Sequence, residues 1–142
     1  MTSQPARHSH TVYFSRAIDG IPIEHTLALA KEVAAELQAV GLTMIDPFNV
    51  QQSANSNRRP VDIVRSDLRL LRDATAVLAD MSIPNRNYIG CVCELVYAHL
   101  GTKPVVVYTG ESGYERRPWL QYHATRLFKD RFSAVAHLAS IL

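Results

Sequence analysis

Short, continuous apolar runs alternate along this chain with longer segments whose apolar residues recur every three or four positions. The runs at residues 11–16 (TVYFSR), 42–46 (LTMID), 74–80 (ATAVLAD) and 103–109 (KPVVVYT) predict strands buried on both faces. A shorter fifth strand fits 125–129 (TRLFK). Between the first two runs, Leu27, Ala30, Val33, Ala34 and Leu37 share one side of a helix over Glu24–Val40, stopped by Gly41. Pro60 opens a second helix to Asp73, with Val61, Val64, Leu68 and Leu71 on its buried side and Ile63 and Leu70 beside them. Further helices fit residues 88–100, 116–124 and 131–142. The polar stretch 49–59 (NVQQSANSNRR) predicts a long loop, a functional lid or simply a flexible connection.

Strand and helix alternate throughout, with connections too long for hairpins. That order predicts the α/β class: a single-domain three-layer sandwich around a mostly parallel, Rossmann/flavodoxin-like sheet of about five strands. Residues 11–142 form the domain, and residues 1–10 (MTSQPARHSH) read as a loosely ordered tail. In such sheets ligands bind beyond the carboxyl ends of the strands, which points to the loops 15–22, 46–59, 81–89 and 109–115.

Composition narrows the picture further. Of 142 residues, 47% are hydrophobic and 20% charged, and a net charge of +2 is scattered rather than clustered. That pattern gives no argument for a nucleic acid or membrane partner. With no apolar run of membrane-span length and no signal-peptide pattern, the expected location is cytoplasmic. Cys91 and Cys93 stand two apart on a predicted helix, so they read as separate, reduced thiols. The six histidines show no ligand spacing, and no metal is expected. No GxGxxG or GxxxxGK[ST] follows the first strand, and no cofactor is expected. Ser15 and Ser82 lack the G-x-S-x-G setting of a serine hydrolase. Arg58-Arg59 and Arg116-Arg117 read as solvated pairs, although either could meet a phosphate.

Two carboxylates occupy positions where apolar residues belong. Asp67 follows Ile63 by four residues and precedes Leu70 by three, so it falls within the apolar face of its helix. Burying an ionised carboxylate costs free energy unless it is paired, so Asp67 is a structural, hydrogen-bonded group or a functional one. Glu94 is expected in the first turn of its helix, where the positive end of the backbone dipole favours the charged form. Gly90, Cys91 and Ala98 around it are small, which leaves room for another molecule. An ordinary exposed first-turn glutamate is the alternative.

Three pieces taken together, VYFSRAIDG, SDLRLLRDATAVLADMS and GCVCELVYAHLGTKPVVV, resemble the nucleoside 2-deoxyribosyltransferase family and its nucleotide N-glycosidase relatives. The resemblance covers residues 11–108. It implies that Glu94 attacks the anomeric carbon and forms a covalent glycosyl-enzyme. Asp67 then assists the base or positions the sugar, and the Tyr13 hydroxyl lies near the nucleophile. Ser15, Arg16, Ala17, Ile18, Asp19 and Gly20 match the segment that wraps the ligand. Gly90 gives the sugar close access, and Asp46 and Tyr88 join the substrate-binding set. The implied partner is a small-molecule nucleoside or nucleotide, and the implied assembly a homodimer or higher homo-oligomer.

The sequence also departs from the family. Its transferases carry an aspartate six residues before the nucleophile, where this chain has Tyr88; nucleotide-cleaving relatives place a small hydroxyl residue there. Water is therefore favoured as the final acceptor, with base exchange between deoxynucleosides as the close alternative. Asp19 argues against a 5′-monophosphate unless Arg16, Arg58 or Arg86 offsets it. Two readings of other classes are a nucleotide-binding sensor without turnover and a receiver-like module built on Asp46 and Asp80. The second calls for several acids at strand ends and a lysine partner after the last strand, and this chain offers no convincing lysine partner for Asp46 and Asp80.

Overall fold

The computed structural model describes residues 9–49 and 58–142. Five strands, β1 (Thr11–Arg16), β2 (Thr43–Ile45), β3 (Ala76–Asp80), β4 (Val105–Tyr108) and β5 (Arg126–Phe128), form one sheet in the order β2-β1-β3-β4-β5. Every pairing is parallel, as the strand–helix alternation predicts. This is a doubly wound sheet whose strand order reverses between β1 and β3. The register sets Ser15 beside Ala79 and Arg16 beside Asp80, so the carboxyl ends of these two strands form the crevice.

The helices are α1 (Ile23–Ala39), α2 (Pro60–Asp73), α3 (Ile89–Leu100), α4 (Pro118–His123) and α5 (Arg131–Ile141). A helical turn also begins at residues 47–49, inside what the sequence presents as loop, and most of the expected 49–59 loop and of the 1–10 tail lies outside the described residues. The single short helix expected near 116–124 is instead a 3₁₀ turn, Tyr114–Arg116, followed by α4. Pro118 has no N–H to continue the first turn, and its fixed φ suits the start of the second.

Strand alternation divides the core into two layers. Val12, Phe14, Leu78 and Val106 pack with Val33 and Leu37 of α1 and Ala134, Val135 and Leu138 of α5. Tyr13, Val77, Ala79, Val105 and Val107 pack on the opposite face with Leu71 of α2 and Cys91, Leu95 and Ala98 of α3. The buried row of α1 is Thr26, Ala30, Val33 and Leu37, whereas Leu27 is exposed. On α2 the expected burial of Val61 and Val64 is overturned, since they are 43% and 54% exposed. Core contacts of α2 come from its C-terminal half through Leu68, Leu70 and Leu71.

Candidate active site

Tyr13 and Ser15 are alternate residues of β1, so both point to the face covered by α3. Glu94 stands on the second turn of α3, between the core residues Cys91 and Leu95. The first-turn position expected from the sequence is therefore overturned, because the helix begins at Ile89. Its charge is governed by burial rather than by the helix dipole. Burial pushes the Glu94 carboxyl up to about 7, and the Asp67 charge adds to this; Tyr13, Ser15 and Arg16 oppose it.

The Ser15 hydroxyl donates to Glu94 Oε1 at 3.3 Å. Glu94 Oε2 and Tyr13 Oη are both buried, and neither has a well-formed hydrogen bond. They are near enough for the phenol to favour the carboxylate, yet they form no hydrogen bond of ordinary geometry with each other. Burial first, then the charges of Glu94 and Asp67, drive the Tyr13 phenol far above its ordinary value, so it remains a donor at any working pH. Asp67 is half-buried on the inner side of α2, and its charge acts on both groups. The site thus brings together Tyr13, Ser15, Asp67 and Glu94, from β1, α2 and α3. Cys91 lies close by, but burial pushes its thiol up to about 12, which leaves it protonated and inert.

Other expected ligand contacts are used within the fold. Arg16 donates to both oxygens of Asp46, at 2.8 and 3.0 Å, and the pair is buried. Asp46 Oδ1 also accepts from Phe48 N at 3.0 Å, so the pair anchors the chain that leaves β2. Tyr88 is buried before α3, where its hydroxyl accepts from Ile83 N at 3.0 Å. Asp80 accepts from Tyr108 Oη at 2.8 Å and from Ser82 N at 2.9 Å. With Asp46 tied to Arg16 and Asp80 to these donors, the two acids do not form the open cluster of a receiver-like site.

After β1 the chain turns through Ala17 and Ile18, both half-buried, to exposed Asp19 and Gly20, with Ile18 O accepting from Ile21 N at 3.1 Å. Gly20 has a φ of +74°, a conformation that a side chain would strain. Gly90 is exposed and meets open space where a Cβ would stand, one helical turn before Glu94. A cleft of about 500 Å³ opens here, lined by Asp19, Ile83, Arg86, Asn87 and Gly90 among others. Asn87 was not singled out from the sequence. Its signal is local: its Oδ1 accepts from Ile89 N at 3.1 Å, an Asx turn at a helix start.

Neither a known family model nor a curated protein sequence matches the chain. Solved structures do. A 2-deoxyribosyltransferase from Leishmania mexicana superposes with a TM-score of 0.71 at 19% identity, over 92% of this chain and 97% of that one. One from Bacillus psychrosaccharolyticus gives 0.69 at 16% identity, over 91% and 90%. A CMP N-glycosidase from Clostridium botulinum gives 0.58 at 13% identity, over 93% and 99%. The chain therefore has the fold of these proteins along nearly its whole length. A shared fold does not by itself carry a shared reaction.

Proposed function

We propose that this protein cleaves the N-glycosidic bond of a nucleoside or nucleoside 5′-monophosphate. In the first step Glu94 Oε2 bonds to C1′ as the C1′–N bond breaks, and the electron pair leaves with the base. Asp67 assists that departure, as proton donor or by holding the base. In the second step water attacks C1′, its proton goes to solvent or a nearby base, and the C1′–Oε2 bond breaks. Free sugar, or sugar phosphate, is released and the carboxylate is restored.

The observation that carries this reading is the pair of buried, unsatisfied oxygens, Glu94 Oε2 and Tyr13 Oη. Leaving such groups without partners costs about 1–3 kcal/mol each, a cost that a bound sugar would remove. An adjacent carboxylate stabilises the oxocarbenium-like state and can then trap it. The fold supports the same reading, since its solved neighbours are described as deoxyribosyltransferases and a CMP N-glycosidase.

Base exchange is the second reading, supported by the two transferase neighbours. Both readings share the covalent intermediate and differ in the acceptor. One experiment separates them. Purified protein is incubated with a nucleoside or its monophosphate and a second free base, and the products are resolved by chromatography. Free sugar or sugar phosphate is expected, new nucleoside marks the transferase, and Glu94→Ala should reduce either product by at least about a thousandfold. Unchanged turnover in a folded Glu94→Ala protein removes the mechanism. Ligand binding with neither product marks the sensor.

A further inference from the structure

We infer that Ser15 is a positioning residue for the proposed reaction: its hydroxyl holds one oxygen of Glu94 and leaves the other to meet the sugar. This inference rests on the reading of Glu94 given above and deepens it.

The contact joins two elements far apart in the chain. Ser15 lies on β1, where parallel pairing sets it beside Ala79 of β3, and it is almost fully buried. Its hydroxyl donates to Glu94 Oε1 at 3.3 Å, across 79 positions of sequence. Serine has one side-chain torsion ahead of its oxygen, and a paired strand holds its backbone. Little entropy is therefore lost in aiming the hydroxyl.

The bond makes the two carboxylate oxygens unequal. Oε1 has a donor, whereas Oε2 is buried and has none. A carboxylate free to turn about its last torsion would present either oxygen to a sugar. The bond at Oε1 removes that freedom and keeps Oε2 in the attacking position.

The same bond bears on both chemical steps. In the first, Oε2 bonds to C1′ as the C1′–N electron pair leaves with the base. Glu94 becomes an ester, and Oε1 is its carbonyl oxygen. In the second, water bonds to C1′, its proton passes to solvent or a nearby base, and the C1′–Oε2 pair returns to the carboxylate. Ser15 keeps its own proton throughout. A donor binds a carboxylate more strongly than an ester carbonyl, so it favours departure of Glu94. Loss of the donor should slow the second step more than the first.

Ionisable groups reach Glu94 from every element packed against it. Tyr13 and Arg16 of β1 favour its ionised form, as Ser15 does, and Asp67 of α2 opposes it. Cys91, on the same helix, stays protonated. Removing the Ser15 hydroxyl takes away one group that favours the carboxylate, so ionisation of Glu94 moves to higher pH.

The test compares wild type with Ser15→Ala and Ser15→Thr on nucleosides and nucleoside 5′-monophosphates. In Ser15→Ala the acid limb of kcat/KM should rise by about one pH unit, the effect of one lost donor to a charged group. The glycosyl-enzyme, acid-quenched and followed by intact-mass spectrometry as substrate is exhausted, should decay about tenfold more slowly. On the alkaline side kcat/KM, which reports the steps through base release, should fall by about threefold or less. Ser15→Thr keeps the hydroxyl and should largely restore both the limb and the decay.

Thermal melting checks that each variant folds. Ser15→Cys, close in size with a weaker donor, replaces either one that does not, and should lie between wild type and the losses stated for Ser15→Ala. An unmoved acid limb or an unchanged decay in Ser15→Ala overturns the inference, as does an equal loss in Ser15→Ala and Ser15→Thr. If wild type releases no base, or Glu94→Ala retains turnover, the reading of Glu94 fails and this inference with it. If Glu94→Ala is inactive while Ser15→Ala behaves as wild type, the inference alone fails.

Discussion

Glu94 has two properties that pull against each other. As the proposed nucleophile it must be ionised, yet its surroundings push its carboxyl up to about 7. The kcat/KM of the wild-type protein should therefore fall as pH drops below about 7, approaching tenfold per unit. A flat profile between about pH 5.5 and 8.5 would count against Glu94 as the ionising group. Stability should move the opposite way. The folded pKa lies above the unfolded one, so the folded state binds more protons between the two values. The stabilisation is full below the unfolded value, near 4.5, and is lost as pH rises through about 7. Glu94→Gln should thus gain on the order of 2 kcal/mol relative to wild type at pH 8 and little at pH 4.5, measured by urea denaturation. At this scale the sequence shows Glu94 and Asp67 as carboxylates out of place. It also reads Glu94 as a first-turn residue, although even a start at residue 88 puts it beyond the first turn of about 3.6 residues.

At the scale of elements, β1 is the organiser. Its side chains alternate, so Tyr13 and Ser15 serve the site while Val12 and Phe14 fill the opposite layer. Arg16 ends the strand and ties it to the end of β2 through Asp46. A buried pair loses far more from removal of one partner than from its joint absence. Asp46→Ala should accordingly destabilise the fold by about 3–5 kcal/mol, and Arg16→Met combined with Asp46→Leu by much less, as read from urea midpoints. A cost below about 1 kcal/mol for the single change would show the guanidinium to be resolvated, returning Arg16 to the pool of ligand contacts. Helix ends follow their own local rules. Asp130 caps α5, accepting from Ser133 N at 3.3 Å and from Ser133 Oγ at 2.7 Å.

For the whole molecule, the exposed apolar side chains bear on assembly. The resemblance implies a homo-oligomer, and Ile89, Leu100, Trp119 and Tyr122 are between 68% and 74% exposed in the single chain. Apolar surface of that kind is ordinarily covered by association. Sedimentation should thus give a mass of at least twice 15.9 kDa. A 15.9 kDa species at micromolar concentration would mean that one chain alone shields its site. No described helix is long and apolar enough to cross a membrane.

Sequence by itself determined the α/β class, the parallel sheet, nearly every element and the identity of the two misplaced acids. These follow from local periodicity and from the cost of burying charge, both of which are written in consecutive residues. Only the tertiary structure decided the rest. It showed that Arg16 is bound to Asp46, that Val61 and Val64 face outward, and that burial rather than the helix dipole sets the charge of Glu94. It also set the Ser15 hydroxyl against Glu94. Each of these depends on which residues far apart in the chain become neighbours, and hydrogen-bond partners and desolvation exist only once strands and helices have packed.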